Sequence, residues 1–246
     1  MSSTSQLRLD LLLVQRGLVE SREKAQRLIL ANKVRVNGQP ARKPGHLHAT
    51  DSALEIEAPE RFVSRGGEKL EAAFQHWNLN VTGLVCLDIG ASTGGFTDCL
   101  LQHGAARVYA VDVGRGQLHE RLRTDARVVV MDELNARHLE PGRFPEPPAF
   151  ATVDASFISL TLLLPAVRQV LAPHGRLVTL VKPQFEAGRK EVGPGGVVRD
   201  PAVHQRVLDT VRAAGEQAGF RWNGSIESPL RGPAGNVEFL AYWDAL

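Results

Sequence analysis

Two ionisable side chains stand directly after runs of apolar residues, where a parallel sheet would present them to a ligand. Asp154 follows residues 151–153, and Lys182 follows the largely apolar residues 177–181. Ligands of open α/β sheets bind beyond the carboxyl ends of the strands, so both side chains are candidates for chemistry. A lysine beside a carboxylate can accept a proton or orient a reacting hydroxyl group. A structural salt bridge between the two is the alternative interpretation.

A glycine-rich segment, Gly90-Ala-Ser-Thr-Gly-Gly-Phe96, follows another apolar strand pattern at residues 85–89. The next strand pattern, residues 108–111, ends in Asp112, which can bind ribose hydroxyls or cap a helix. Ser92 stands where a dinucleotide fold has its second glycine, and the Gly-Lys-Ser/Thr end of a phosphate-binding loop is missing. The spacing Asp-x-Gly-x-x-x-Gly is instead typical of S-adenosylmethionine methyltransferases. A different nucleotide is the alternative.

A third acidic segment, Asp132-Glu133, follows the apolar residues 128–130. Folds of this kind hold an adenine ring at this point, and Asp132 is the first candidate for the adenine amino group. Glu133 is the second candidate, and a simple loop acid is the alternative. The predicted cofactor-binding residues are Asp88, Gly90, Ala91, Ser92, Gly94, Gly95, Phe96, Asp112, Val113, Asp132, Glu133 and Asp154.

The alternation of these strand patterns with helix patterns predicts a doubly wound α/β domain. A helix is expected at its start, over residues 68–77, with Leu70 and Phe74 on the apolar face. Lys69 lies beside that face, and an ordinary solvated lysine is the alternative to a functional one. Near the end of the chain, a strand pattern over residues 237–240 carries Glu238.

The first part of the chain is strongly basic. Residues 1–50 hold nine Lys/Arg against three Asp/Glu, a net charge of +6, whereas the whole chain carries +2. This asymmetry predicts a polyanionic partner, with a solvated basic face as the alternative. A helix ending at Gly17, a second helix capped by Ser21, and a strand at residues 34–39 with an Asn-Gly turn are expected.

Composition limits the remaining classes. With 246 residues, 43% of them hydrophobic, the chain can form two modest globular domains. The absence of an apolar leader in residues 1–10, and of an apolar run long enough to span a membrane, predicts a cytoplasmic protein. The two cysteines, Cys86 and Cys99, show no metal-ligand spacing, and no metal is expected.

The basic segment resembles the RNA-binding domain named after small-subunit ribosomal protein S-four. The matching motifs are Arg8-Leu-Asp10, Ser21-Arg-Glu-Lys-Ala25 and Lys33-Val-Arg-Val-Asn-Gly38. The resemblance implies a small α+β domain whose second helix and following turn lie on structured RNA, with phosphate contacts from Arg and Lys. The predicted RNA-binding residues are Arg8, Arg22, Lys24, Arg27, Lys33, Arg35, Arg65 and Arg199.

The remainder resembles the FtsJ-type RNA 2′-O-methyltransferases, and the whole chain resembles the TlyA family. The carrying motifs are Ser64-Arg-Gly-Gly-Glu-Lys-Leu70, Asp88-Ile-Gly-Ala-Ser-Thr-Gly-Gly-Phe-Thr-Asp98, Val111-Asp-Val-Gly-Arg-Gly-Gln-Leu118, Asp154-Ala-Ser-Phe-Ile-Ser-Leu160, Leu180-Val-Lys-Pro-Gln-Phe-Glu186 and Gly235-Asn-Val-Glu-Phe239. The resemblance implies an S-four-like domain at residues 1–60, a linker at 61–65 and a Rossmann-like methyltransferase domain at 66–246.

The resemblance also implies the chemistry. Lys69, Asp154, Lys182 and Glu238 match the family's catalytic set, with Lys182 the expected base and Lys69 the alternative. The expected reaction is S-adenosylmethionine-dependent 2′-O-methylation of a cytidine in ribosomal RNA, and the short tail after Phe239 favours the large subunit. Residues 193–200 are expected to be a flexible basic loop that closes over the target nucleotide. A non-catalytic ribosome-assembly factor is the main alternative, and a haemolysin the weaker one, since no amphipathic membrane helix is evident.

Overall fold

The smaller of two units contains the basic segment. A computed structural model describes residues 5–57 and 60–246, which divide into unit 1, Met1–Glu60, and unit 2, Arg61–Leu246. Each unit has its own hydrophobic core. Within the described residues, no helix is both long and apolar enough to cross a membrane.

Unit 1 consists of two helices and five short strands. Its elements are β1 (Gln6–Arg8), α1 (Leu9–Gln15), α2 (Arg22–Leu30), β2 (Val34–Val36), β3 (Gln39–Pro40), β4 (Leu47–Ala49) and β5 (Leu54–Ile56). β1 pairs with β4, and β2 lies between β3 and β5. The predicted cap is confirmed, because the Ser21 hydroxyl accepts a hydrogen bond from the Lys24 amide. The predicted turn is also confirmed, with positive φ at both Asn37 and Gly38.

Unit 2 is a seven-stranded sheet with helices. Its elements are α3 (Gly66–Trp77), β6 (Val85–Ile89), α4 (Gly95–Gln102), β7 (Arg107–Val111), α5 (Glu120–Arg123), β8 (Val128–Met131), β9 (Phe150–Val153), α6 (Leu164–Val170), β10 (Arg176–Val181), α7 (Pro183–Glu186), α8 (Pro201–Gln217), β11 (Phe220–Glu227) and β12 (Phe239–Ala245). Short 3-10 helices span Ala136–His138, Leu160–Leu162 and Pro194–Gly196.

The strand order is β11-β12-β10-β9-β6-β7-β8. Five neighbouring strands, β10 to β8 in this order, are parallel, and β12 is antiparallel to both of its neighbours. The chain proceeds from β6 to β7 and β8 on one side, then returns to β9 on the other. β6 and β9 therefore flank the switch point where such sheets bind ligands. The predicted doubly wound α/β fold is confirmed.

Apolar residues on the two faces of the sheet form two cores. Side chains alternate along a strand, so Cys86 and Leu87 of β6 point to opposite faces. Cys86 belongs to a cluster with Leu70 of α3 and Leu100 of α4, whereas Leu87 belongs to a cluster with α6 and α8. The sheet is thus covered on both sides, as its nearly continuous apolar strands require.

Two predicted boundaries are wrong. α3 begins at Gly66 rather than at residue 68, and a side chain at Gly67 would place its Cβ 2.2 Å from the Phe62 ring. Glu238 precedes β12 rather than lying within it. Its carbonyl accepts a hydrogen bond from the Ser228 amide, whereas the ladder with β10 stops at the pair Val181–Phe239.

Candidate active site

The loop after β6 packs against the end of β9 at the switch point. Gly90 has a φ of 80°, and a Cβ there would lie 2.4 Å from the Asp154 carbonyl oxygen. A residue with a side chain therefore requires both a strained backbone and a displaced β9 end. Gly95 is restricted as well, since its Cβ would lie 2.4 Å from the Ser64 hydroxyl. The loop is thus held between Asp154, which contacts it at Gly90, and Ser64, which contacts it at Gly95.

Asp112 holds this loop from the end of β7. One carboxylate oxygen accepts a hydrogen bond from the Ser92 amide at 2.8 Å, and the other accepts from the Gly114 amide at 2.7 Å. Ser92 adopts the left-handed conformation, with a φ of 48°, at the position where a dinucleotide fold has glycine. Because a carboxylate has about four acceptor sites, Asp112 can still accept from a ligand hydroxyl.

A cavity of about 300 Å³ opens beside this loop, and a smaller one of about 120 Å³ adjoins it at Gly90 and Asp154. The larger cavity is lined by Ile89, Gly90, Ser92, Val111, Asp112, Val113, Gln117, Leu134, Asn135, Ala136, Asp154, Ala155, Ser156, Phe157, Ile158 and Leu163. Ala91, Gly95 and Phe96 line the smaller one. Largely apolar walls with two acids, Asp112 and Asp154, and a close backbone approach can hold a nucleoside.

Asp88 lies beneath the loop and does not line either cavity. It is fully buried, and its two oxygens accept hydrogen bonds from the hydroxyls of Thr97 and Thr152, at 2.6 and 2.8 Å. Burial raises the pKa of this carboxyl to about 6. Asp88 therefore braces β6, β9 and α4 beneath the loop rather than contacting a ligand directly.

The acids after β8 also stand apart from the cavity wall. Asp132 accepts a hydrogen bond from the Gly116 amide at 2.9 Å, and Glu133 has a φ of 57°. The chain then turns so that Leu134, Asn135 and Ala136 line the cavity. Asn135 is thus a polar residue that the sequence analysis missed, although it directly follows the acidic segment. The role of Asp132 and Glu133 in cofactor binding stays a prediction.

Two ion pairs, each with one buried member, contain the four predicted catalytic residues. Lys182 lies 2.7 Å from Asp154, and Lys69 lies 2.5 Å from Glu238. Lys182 and Glu238 are 8% and 1% exposed, so neither charge is solvated in the ordinary way. The strand ladder explains the placement: Lys182 and Glu238 each stand one residue beyond the last β10–β12 pair.

Ser156 is a further partner of Lys182 that the sequence analysis missed. The lysine ammonium donates a hydrogen bond to the Ser156 hydroxyl at 2.8 Å. The lysine also lies close to Asp154 Oδ1, but the two atoms lack hydrogen-bond geometry. This oxygen has no hydrogen-bond partner among the described residues, so the contact is purely ionic. Ser156 also lines the larger cavity, so it connects the lysine with that space.

The segment after β9 presents an aromatic ring to solvent at the cavity edge. Phe157 is 90% exposed, has a φ of 63°, and packs against Phe185 with ring centroids 5.0 Å apart. Glu186 ties this segment to α7, accepting hydrogen bonds from the Leu160 amide and the Ser159 hydroxyl. Burial raises the pKa of Glu186. An exposed aromatic on a strained backbone makes this segment a candidate for a functional role.

Most cations predicted to bind RNA have partners within unit 1. The buried carboxylate of Asp10 accepts hydrogen bonds from Arg8 and Arg22. These bonds, that from Arg8 above all, hold the pKa of the Asp10 carboxyl well below its usual range. Lys24 pairs with Glu20 at 2.8 Å. Lys33 pairs with Glu57, and Arg35 donates a hydrogen bond to the Gly38 carbonyl. Arg27 has no ion-pair partner in the described part of the chain.

The two predicted RNA-binding arginines of unit 2 are exposed. Arg65 directly precedes α3, and Arg199 follows the buried Val198. The loop containing Arg199 is anchored at both ends: the Asn236 side chain bonds the Val198 amide and the Gly196 carbonyl, and Asp200 caps α8. The expected loop is therefore tied to the segment that carries Glu238, and its closure stays a prediction.

Comparisons with known proteins identify relatives of both units. The chain matches the FtsJ-like methyltransferase family over residues 62–244 and the S4 domain over residues 7–47. It is 50% identical to YqxC of Bacillus subtilis, named a candidate rRNA methyltransferase, covering 96% of this chain and 84% of that protein. It is 46% identical to the 16S/23S rRNA (cytidine-2′-O)-methyltransferase TlyA of Mycobacterium tuberculosis, covering 96% and 88%.

A solved structure has the same fold. It comes from Streptococcus thermophilus, is described as a candidate hemolysin, and is 46% identical with a TM-score of 0.76, covering 99% of this chain and 90% of that one.

Proposed function

Because the chain belongs to the TlyA family, which joins an S4 domain to an FtsJ-like methyltransferase domain, we propose that it methylates a ribose 2′-hydroxyl in ribosomal RNA. The methyl donor is S-adenosylmethionine, and the target nucleotide is a cytidine. Large-subunit RNA is the favoured substrate, and the relative from Mycobacterium tuberculosis is named for both subunits. The observation that carries this proposal is the presence of two partly buried ion pairs, one of which reaches the glycine-loop cavity through Asp154.

The cavity suits the cofactor. Leu134, Ile158 and Leu163 offer apolar contacts for an adenine ring, and Asp112 offers a free acceptor site for ribose hydroxyls. Gly90 leaves room for close backbone approach at the point where the two cavities meet. When bound, S-adenosylmethionine supplies a methyl group that its sulfonium already activates toward nucleophiles.

The chain itself positions the acceptor hydroxyl and removes its proton. Lys182 is the proposed base. After its ammonium has released one proton to solvent, the neutral amine accepts the proton of the hydroxyl, and its contacts with Asp154 and Ser156 orient it. Lys69 of α3 is held by Glu238, which directly precedes β12, and it orients the hydroxyl. Since Asp154 packs directly on Gly90, the base and the cofactor loop are fixed relative to one another.

The RNA is bound by unit 1 together with the exposed arginines of unit 2. We propose a domain boundary that leaves residues 61–65 as the linker between an RNA-binding domain, 1–60, and a catalytic domain, 66–246. The cations of unit 1 supply affinity through phosphate contacts that carry little sequence information. Arg65 of the linker and Arg199 of the catalytic domain are the further cations that we expect to contact the substrate.

Labelled S-adenosylmethionine with unmodified ribosomal subunits tests the proposal. We expect label in one RNA, recovered in alkali-stable dinucleotides because a 2′-O-methyl group blocks strand cleavage at its own ribose. Lys182→Met should retain cofactor binding and lose transfer, whereas Arg212→Gln, an exposed ion-paired position on α8, should behave as wild type. Cofactor binding without transfer to either subunit would instead favour a non-catalytic assembly factor.

A further inference from the structure

The cations predicted to bind RNA do not line a basic cavity that is present in the described part of unit 1. It has a volume of about 450 Å³ and lies between the end of β2 and β4. Its lining consists of Val36, Gln39, Pro40, Ala41, Arg42, Lys43, His46 and His48. Among the described residues no acidic side chain lines it, and it gathers two permanent cations and two imidazoles, which is the composition of an anion site.

The two cations of this cavity are free to bind a ligand. Arg42 and Lys43 are exposed and have no ion-pair partner within residues 5–57. By contrast, Arg8 and Arg22 are bound to the buried Asp10, and Lys24 to Glu20. A cation already paired must give up its partner to bind a phosphate, whereas Arg42 and Lys43 only exchange solvent.

One imidazole nitrogen is buried and unsatisfied. His48 Nε2 has no hydrogen-bond partner among the described residues, although it is shielded from solvent. Such a group costs free energy unless a ligand or water completes it. The His46 ring stands edge-on to His48, with centroids 5.0 Å apart. Burial, and to a lesser extent His46, lower the pKa of His48, so an anion in the cavity would reverse that shift.

The backbone around the cavity is held in place. The His46 carbonyl accepts a hydrogen bond from the Leu9 amide at 2.9 Å, and the Pro44 carbonyl accepts from Asp10 at 3.0 Å. Gly45 lies against the Arg8 guanidinium, which a Cβ would approach to 3.3 Å. The turn is therefore anchored to the start of α1, so little ordering free energy is lost when a ligand binds.

We propose that this cavity binds one backbone phosphate of the RNA, with Arg42 and Lys43 neutralising it and His48 Nε2 donating a hydrogen bond. The inference rests on the proposed function, because it takes RNA as the ligand, and it adds a pH-dependent subsite. The titratable groups that line the cavity beside His48 are His46, Arg42 and Lys43, and the Arg8 guanidinium, bonded to Asp10, lies against Gly45 of the same turn. None of the lining groups is acidic, so the positive charge that His48 gains on protonation adds to the attraction for a phosphate and strengthens binding.

Salt-dependent binding to a large-subunit rRNA transcript tests the phosphate contact in the full-length protein. Arg42→Gln/Lys43→Gln should flatten the plot of log affinity against log salt by about one unit and weaken binding about tenfold in 0.1 M salt. The control, Arg206→Gln/Arg212→Gln, removes the same charge from exposed ion-paired positions of α8 and should keep the wild-type slope. An unchanged slope in the first variant would overturn the proposal.

A titration with inorganic phosphate separates this inference from the proposed function. Followed by histidine proton resonances, phosphate should raise the pKa of His48 in the wild type and leave it unchanged in Arg42→Gln/Lys43→Gln. His48→Gln should abolish the gain in RNA affinity from pH 8 to pH 6. If phosphate raises the pKa of His48 while no ribosomal RNA is methylated, the phosphate site is supported and the proposed function is wrong. If ribosomal RNA is methylated while phosphate leaves the pKa of His48 unchanged, only the proposed phosphate site is wrong.

Discussion

The buried carboxyl of Asp88 predicts a specific dependence of stability on pH. Its pKa is raised from 3.8 to about 6 by burial, so the folded protein holds this proton more tightly than the unfolded chain does. The stabilising contribution is therefore complete below the unfolded pKa and is lost as the pH rises through the folded pKa. A difference of about two pKa units corresponds to about 3 kcal/mol.

Asp88→Asn removes this titration and keeps the hydrogen bonds. The amide can accept from one threonine hydroxyl and donate to the other, so Thr97 and Thr152 both stay bonded. We expect the free energy of unfolding of the variant, relative to wild type, to rise by about 3 kcal/mol between pH 4 and pH 7.5. All other titrating groups are common to both proteins and cancel in the difference.

Urea unfolding followed by tryptophan fluorescence measures this difference for unit 2 alone. The three tryptophans of the chain, Trp77, Trp222 and Trp243, all belong to that unit. Asp209→Asn, at an exposed position on α8, is the matched control and should differ from wild type by a constant. A pH-independent difference between wild type and Asp88→Asn would refute the argument that burial holds this proton.

Three further predictions concern the site itself. Gly90→Ala should lower cofactor affinity more than tenfold, measured by calorimetry, because its Cβ collides with the carbonyl at the end of β9. Ser156→Ala should lower the rate constant of methyl transfer in single-turnover assays about tenfold, because Lys182 loses a hydrogen bond worth about 1.5 kcal/mol. The affinity for the cofactor should stay unchanged. Glu238→Gln should lower the free energy of unfolding by about 3 kcal/mol by leaving Lys69 without its buried partner, and Lys69→Met in the same protein should recover part of it.

The sequence predicted the strands and the sheet well, because apolar runs and their spacing report on burial directly. The direction of a side chain after a strand was harder to predict. After β8 the positive φ of Glu133 turns the chain, so Asn135 rather than the acids lines the cavity. Such a turn depends on tertiary contacts of the loop, and the pattern of residue types does not contain them.

Charge posed a similar difficulty in unit 1. A count of basic residues treats every cation as available, yet Asp10 is fully buried and satisfies Arg8, Arg22 and Gln26 at once. A single acid among many cations carries no visible pattern in a sequence. The composition therefore predicted an RNA-binding segment, while the choice of cations within it depends on where this one carboxylate is buried.

Because of the close packing at the switch point, a shift of the cofactor loop is expected to shift the surroundings of the proposed base as well. Gly90 and Asp154 stand at the ends of adjacent strands, and the carbonyl of Asp154 occupies the space that a side chain at Gly90 would need. The carboxylate of the same Asp154 contacts Lys182 on the other side. A displacement of the loop therefore shifts the backbone that carries the lysine's partner. Since in-line methyl transfer tolerates little misplacement, a change at Gly90 should reduce turnover even where cofactor concentration restores binding.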